Sequence, residues 1–225
     1  MNIPFNIDDY ETWPVSIRDF ARMVLSDFRS PEDVSVYYFE ELTRLIQKEV
    51  SQFILYHYTK EHKLFPYSKI GLRVLNAHKH IDWFLKNFLQ YFSPDEQIRI
   101  REVLSTQLST RRRQPEGCLC FVNSPQRGYE LSRMEEFLKW FGGEEIFWNF
   151  KVKTSHSAID SSILQTLSTI GRSCIVKFIG EAAHIRQENF VRSIIYKTFN
   201  AGCYSCNGRI YCNIPANRIQ EIIYV

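Results

Sequence analysis

Residues 53–59 read Phe-Ile-Leu-Tyr-His-Tyr-Thr, and a glycine follows at Gly71. This apolar run is rich in residues that favour strands. It ends on His57 and Thr59, so we expect two hydrogen-bonding side chains at the rim of a sheet, where ligands are commonly held. No other stretch of the sequence combines a strand pattern, a polar pair and a glycine turn so closely. We therefore predict a nucleotide-handling site here.

The composition favours a folded protein without a membrane segment. The 225 residues are 44% hydrophobic and 15% aromatic, which is enough for one large domain or two small ones. No apolar run approaches the roughly 20 residues that a membrane span needs. Residues 1–9 are acidic and lack the basic and then apolar pattern of an export signal. We therefore expect a cytoplasmic protein with reduced cysteines and no membrane partner.

The basic residues are concentrated in one region. Residues 60–113 contain 11 lysines and arginines against 5 acids, a local charge of +6 that exceeds the +3 of the whole chain. This charge favours an anionic partner or ligand, although a solvated helical face would give the same pattern. Arg73 and the arginine run at residues 111–113 suit phosphates, because a guanidinium presents a planar fork of donors.

Helical and strand patterns are mixed along the chain without strict alternation. Helices are predicted within residues 8–50, from Asn76, from Ser93, and over residues 132–141 and 161–170. Strands are predicted over residues 52–58, 118–122, 145–150, 174–179, 209–214 and 219–225, and residues 185–199 are ambiguous. The sequence therefore predicts an α+β fold, with a helical N-terminal segment (1–50) packed on a mostly antiparallel mixed sheet (51–225) in a single compact unit.

The segment Leu55-Tyr56-His57-Tyr58-Thr59, followed by Gly71-Leu72, resembles the first strand and turn of the ADP-ribosyltransferase superfamily. The similarity is to the histidine-containing branch, which includes poly-ADP-ribosyl enzymes and nucleic-acid-modifying toxins. In that branch a His-x-Ser/Thr on the first strand binds NAD. The resemblance implies an ADP-ribosyltransferase-like fold, NAD as a substrate, and a binding site formed by His57, Tyr58, Thr59, Gly71, Arg73, Phe121 and Tyr129.

The resemblance also implies a role for each of the main binding residues. His57 would bond ribose hydroxyls, and Thr59 would help to place the nicotinamide amide. Phe121 or Tyr129 would stack on the nicotinamide, although either aromatic could equally belong to the core. The role of Arg73 follows from the basic region instead: together with arginines 111–113 it would bind the pyrophosphate or an oligonucleotide substrate.

A catalytic glutamate is the least clear part of the resemblance. Asn207 stands where the family places this carboxylate, and an amide supplies no negative charge. Glu144 is the predicted catalytic acid, because the glycine turn at residues 142–143 lets the backbone approach a ligand closely. The competing interpretation is a helix C-cap at that turn followed by a solvated Glu144. Glu145 and Glu181 are the other substitutes.

The cysteines suggest a second kind of site. Cys203 and Cys206 have the spacing of a zinc knuckle, and Cys118 and Cys120 could complete four thiolate ligands. Reduced cysteines without a metal are the favoured interpretation, because Cys118 and Cys120 fall on one face of a strand and suit a core pair equally well.

The resemblance of the segment 53–76 implies an NAD-dependent ADP-ribosyltransferase-like toxin or antiphage defence protein. It would modify a macromolecule, either a nucleic acid or a protein, and an antitoxin or another protein is the partner expected for such a toxin. The alternative is a non-catalytic module that uses the basic residues 60–113 to bind nucleic acid or protein.

Overall fold

The computed structural model describes residues 3–110, 117–125, 138–152, 157–185, 188–201 and 207–225. These residues form an α+β fold with one five-stranded sheet. The helices are α1 (Val15–Asp27), α2 (Val36–Glu49), α3 (Tyr67–Ile70), α4 (Ala77–Phe88), α5 (Pro94–Thr110), α6 (Glu144–Val152), α7 (Ala158–Thr169) and α8 (Glu188–Thr198). The strands are β1 (Gln52–Glu61), β2 (Leu119–Val122), β3 (Arg172–Glu181), β4 (Asn207–Ile210) and β5 (Ile219–Tyr224).

Strand β1 lies at the centre of the sheet, whose order is β4-β2-β1-β3-β5. It pairs with β3 along its whole length, from Gln52 opposite Glu181 to Glu61 opposite Arg172. All pairings between the named strands are antiparallel, and one parallel bridge joins Phe5 to β1. The predicted α+β class with a mostly antiparallel sheet is therefore confirmed.

One face of the sheet carries the first hydrophobic core. Side chains alternate between the two faces of a strand, so Phe53 and Leu55 of β1 point to the same side. There they are fully buried with residues of α1, α2 and α8, including Ile17, Leu42 and Ile194. The N-terminal helices thus pack directly on the sheet.

Helices α4 to α7 form a second core with its own aromatic side chains. Its buried members include Phe84, Phe88, Phe141, Phe147 and Phe150. A smaller cluster, the third, lies on the other face of the sheet and contains Tyr56, Tyr58, Val122 and Ile175. The N-terminal helices therefore pack on one face of the sheet, and helices α4 to α7 form a helical unit next to the end of β1.

A buried lysine connects β1 to that helical unit. The Nζ atom of Lys60 donates hydrogen bonds to the carbonyl oxygens of Ser168 (2.5 Å) and Lys139 (3.4 Å). Ser168 lies in the last turn of α7, where helix carbonyls carry partial negative charge, so the ammonium group is favourably placed. Burial lowers the pKa of Lys60.

Two helix starts agree with their sequence signals. The Asn76 side chain accepts a hydrogen bond from the Lys79 amide at the start of α4 (3.0 Å). At the start of α5, Ser93 and Glu96 bond each other's backbone amides in a capping box. These are local interactions, and the residue types alone indicate them.

The strand predicted over residues 145–150 is wrong, because this segment belongs to helix α6. Its apolar residues Ile146, Phe147 and Phe150 are buried in the helical core. A short apolar run has the same appearance in a buried helix as in a buried strand, and periodicity does not separate the two.

Other boundaries also differ from the sequence pattern. Residues 31–33 form a short 3₁₀ turn before α2. Strand β4 ends at Ile210, whereas the predicted strand continues to residue 214. The ambiguous segment 185–199 contains helix α8. Most of the helix predicted over residues 132–141 lies outside the described residues.

Gly71 has a steric role where the chain leaves α3. Its φ is +70°, in the left-handed region that favours glycine. The next residue, Leu72, exchanges two backbone hydrogen bonds of 2.8 Å with Ile214. A Cβ atom on Gly71 would lie 2.1 Å from the Ile214 carbonyl oxygen. Only glycine therefore allows this close crossing of two chain segments.

We predict that Gly71→Ala destabilises the protein by about 2–4 kcal/mol, because left-handed strain adds to the steric clash. Gly143→Ala is the matched control: its φ is +69°, but a Cβ there would meet no atom within 4 Å. This variant should lose only about 1 kcal/mol. Urea unfolding measures both, and equal losses would contradict the close-crossing explanation.

Candidate functional site

Three polar side chains follow one another on the inner face of β1. His57, Thr59 and Glu61 alternate with residues of the opposite face and continue the row begun by Phe53 and Leu55. Their Cα atoms are spaced by about 6.6 Å, two residue steps along a strand. The start of this row is apolar and its end is polar, so each buried polar group there needs a hydrogen-bond partner.

The His57 ring bonds the neighbouring strand. Its Nδ1 atom lies 2.8 Å from the carbonyl oxygen of Cys120 in β2, which pairs with β1 at Tyr56 and Val122. Because a carbonyl can only accept, Nδ1 carries the proton and Nε2 of the neutral ring is an acceptor. Burial lowers the pKa of His57, so the ring is neutral at pH 7. Among the described residues, none forms a hydrogen bond with Nε2.

The Thr59 hydroxyl contacts a tyrosine from α3. Its Oγ1 atom lies 3.0 Å from the Tyr67 hydroxyl, which also donates to the carbonyl oxygen of Lys60 at 3.3 Å. Thr59 remains partly exposed. Burial raises the pKa of Tyr67 well above its ordinary value, so the phenol keeps its proton.

Glu61 is buried and engages both of its carboxylate oxygens. Oε1 accepts a hydrogen bond from the Tyr67 amide at 2.6 Å, and Oε2 accepts one from the Tyr224 hydroxyl. The Arg172 guanidinium lies 4.1 Å from the centre of the Tyr224 ring, a cation–π distance. The hydrogen bond to Glu61 raises the pKa of Tyr224. Glu61 thus joins β1 to α3 and to β5.

Glu61, Tyr67 and Tyr224 are not among the site residues that the sequence pattern indicates. Glu61 could have been found, because it continues the alternation of His57 and Thr59 along the same strand. Tyr67 and Tyr224 had no such signal, since only the fold brings them to the end of β1.

Three of the predicted binding residues serve packing in this structure. The Tyr58 hydroxyl donates to the carbonyl oxygen of Pro125 at 2.8 Å on the opposite face of the sheet. Phe121 is 3% exposed and stacks with Phe190 in the first core, with 6.1 Å between ring centroids. Gly71 is buried at the crossing with Ile214. The structure therefore places His57 and Thr59 on one face of β1, whereas Tyr58, Phe121 and Gly71 are used in packing and do not line a binding surface beside them.

The remaining predicted site residues lie in different parts of the chain. Arg73 is exposed, next to Val74, whose amide donates to the Asn213 side chain. Glu144 is the first residue of α6, a helix that packs with α4, α5 and α7. Tyr129 lies outside the described residues.

Two cations of the basic region are bonded to buried groups of the protein. Lys60 is bonded to carbonyls as described above, and Arg99 pairs with the buried Asp160 at 3.1 Å. The exposed members within the described part of this region are Lys63, Lys69, Arg73, Lys79, Lys86 and Arg101. Arginines 111–113 lie outside the described residues, and so do Cys203 and Cys206.

Within the part of the chain that the structure describes, no three His, Cys, Asp or Glu side chains are grouped to hold a metal ion. Cys118 is buried and Cys120 is exposed. The described helices also include none with the length and apolar character needed to cross a membrane.

No protein-family model matches this chain, and neither a curated protein nor a solved structure is significantly similar to it.

Two further histidines are held neutral at the edge of the helical unit. His62 is 7% exposed; its Nδ1 accepts from the Leu64 amide, and its Nε2 lies 3.3 Å from the Tyr91 hydroxyl. Nε2 of His80 lies 2.7 Å from the Gly142 carbonyl oxygen. Burial lowers the pKa of both rings, as it does for His57.

We predict that the free energy of unfolding decreases as the pH falls from 7 to 5.5. The folded protein holds His57, His62 and His80 with lowered pKa values, so the unfolded chain binds more protons below pH 6.5. Each histidine contributes a slope of up to about 1.4 kcal/mol per pH unit. Denaturant unfolding at several pH values measures the slope. His62→Gln should reduce it, and an unchanged slope would show that His62 does not contribute.

Proposed function

We propose that this chain is an ADP-ribosyltransferase-like enzyme that uses NAD as a substrate. The observation that supports the proposal best is the pair formed by His57 and Thr59 on one face of β1, with Nε2 of His57 available as an acceptor. The nicotinamide riboside part of NAD carries complementary donors, namely ribose hydroxyls and a carboxamide NH₂ group. The resemblance of residues 55–59 and 71–72 to this superfamily points to the same ligand.

In the proposed reaction, the bond between the nicotinamide nitrogen and the ribose carbon breaks. Nicotinamide leaves with the bonding electron pair, and the positive charge moves onto the ribose. A nucleophile of the acceptor then forms a bond to the ribose carbon and loses its proton. His57 would hold a ribose hydroxyl and Thr59 the carboxamide, while a carboxylate would stabilise the developing charge.

Glu144 is the residue that we propose for this carboxylate. Glu61 is closer to His57 in sequence and lies on the same face of β1, but both of its oxygens are bonded to Tyr67 and Tyr224. Removing it from these bonds would leave the Tyr67 amide and the Tyr224 hydroxyl without this partner and would release the contacts that hold α3 and β5 against β1. Glu61 is therefore better suited to holding the strand than to acting on a substrate.

The proposed acceptor is a nucleic acid, because the exposed cations between residues 63 and 101 would attract a polyanion. Such an activity suits a toxin or a defence protein, which a second protein would have to restrain.

The same cations also favour a second candidate function, a non-catalytic nucleic-acid-binding module. Such a module would bind an oligonucleotide with an affinity that falls steeply with salt, and it would release no nicotinamide from NAD.

We predict that His57→Ala weakens NAD binding about 5- to 15-fold, because the loss of one hydrogen bond removes roughly 1–1.5 kcal/mol. The control is His78→Ala, which changes an exposed histidine on α4 and should leave the affinity unchanged. Isothermal titration calorimetry measures both. Equal affinities for the two variants would contradict the role of His57, and the absence of NAD binding to the unchanged protein would contradict the proposed function.

We predict that Glu144→Gln reduces nicotinamide release from NAD at least 100-fold and leaves NAD affinity within about threefold, because the carboxylate acts on charge that develops only in the transition state. Glu145→Gln is the matched control, since it removes the neighbouring carboxylate of the same helix. Chromatography of the products in the presence of an oligonucleotide acceptor measures the rates. A larger loss in the Glu145 variant would transfer the role to that residue.

A further inference from the structure

We propose that Tyr67 is a positioning residue that fixes the Thr59 hydroxyl as a hydrogen-bond acceptor, so that the site selects a carboxamide over a carboxylate. This inference rests on the proposed function, since it concerns how the same site would recognise the nicotinamide end of NAD. The direction of the Thr59 hydroxyl depends on the single proton of the Tyr67 hydroxyl.

That proton has two neighbours of different chemistry. The Lys60 carbonyl, 3.3 Å away, can only accept, whereas the Thr59 hydroxyl, 3.0 Å away, can either donate or accept. Both contacts are hydrogen bonds at once only if Tyr67 donates to Lys60 and accepts from Thr59. The Thr59 proton is then directed at Tyr67, and the lone pairs of Thr59 remain for a ligand.

Tyr67 is itself held in place from two sides. Its amide donates to Glu61, whose second oxygen accepts from Tyr224, and Arg172 lies over the Tyr224 ring. The Tyr67 ring packs against the first hydrophobic core. A tyrosine held in this way keeps its hydroxyl oxygen within reach of both neighbours, and the Lys60 carbonyl, which can only accept, then decides the direction of the proton.

His57 adds a second fixed acceptor to the same face. The Cys120 carbonyl takes the proton of Nδ1, so Nε2 offers only a lone pair. The two acceptors belong to residues about 6.6 Å apart along the strand. A ligand that carries donors can bond to both, but a carboxylate would place its own lone pairs against Thr59.

Nicotinic acid adenine dinucleotide is the ligand that isolates this effect, because it has a carboxylate where NAD has the carboxamide and is otherwise the same. The acid form has no N–H donor for the Thr59 oxygen, so binding it would leave this acceptor without a partner. Such unpaired polar groups reduce affinity strongly, and the site should therefore bind the acid form weakly. We expect the unchanged protein to bind NAD at least tenfold more tightly than the acid form at pH 7.5.

The test measures the affinity ratio of the two dinucleotides by calorimetry in a set of variants. In Tyr67→Phe the Thr59 proton is free to turn to a carboxylate, so the ratio should fall below about threefold. Thr59→Val should also lose the preference, whereas Thr59→Ser, which keeps the hydroxyl, should retain it. Tyr91→Phe is the control, because it removes a hydroxyl that bonds His62 instead.

The outcomes separate the inference from the function on which it rests. If the unchanged protein binds neither dinucleotide, the proposed function fails and the inference fails with it. If NAD binds but the Tyr67→Phe ratio stays at the original value, Tyr67 does not set the polarity of Thr59, and the proposed function stands. An equal loss of affinity for both dinucleotides would assign Tyr67 a purely structural role and would also overturn the inference.

Discussion

The ten-residue ladder between β1 and β3 is the constraint on which the rest of the structure depends. It fixes which side chains of β1 face the N-terminal helices, because the alternation cannot change without shifting the register. Phe53 and Leu55 gain from this burial, but the same register turns His57, Thr59 and Glu61 to the same face. The surrounding elements must therefore supply polar partners for the second half of the strand.

Much of this arrangement could be predicted from local sequence. The strand itself and the capped starts of α4 and α5 depend on residues within a few positions of one another. The end of the strand was not predictable in the same way: β1 continues to Glu61, so His57 and Thr59 lie within it rather than at its end. The paired placement of His57 and Thr59 still follows from the period of a strand, whatever the strand lies beside. The α+β class and the mostly antiparallel sheet can likewise be predicted from the sequence, because strands and helices follow one another without the regular alternation of parallel folds.

Other features could not be predicted because they depend on distant contacts. Glu61 meets Tyr224 across 163 residues of chain, and nothing near either residue indicates the pairing. A phenylalanine such as Phe121 is as common in a hydrophobic core as in a ligand site, so its residue type does not separate the two. Its stack on Phe190 shows that it belongs to the core. The sequence of helix α6 has the pattern of a strand, because a buried helix has apolar residues on more than one face.

The hydrogen-bond partners of the polar side chains on β1 also determine which donors and acceptors remain for a ligand. The Cys120 carbonyl takes the only proton of His57, and Tyr67 draws the proton of Thr59 towards itself. The N–H of His57 and the hydroxyl proton of Thr59 are thus both used within the fold. Each side chain keeps a lone pair, so this part of β1 presents hydrogen-bond acceptors to a ligand. Hydrogen-bond polarity at this site is therefore a consequence of packing, and it follows the network of Glu61, Tyr67 and Tyr224 rather than the residue types of His57 and Thr59 alone.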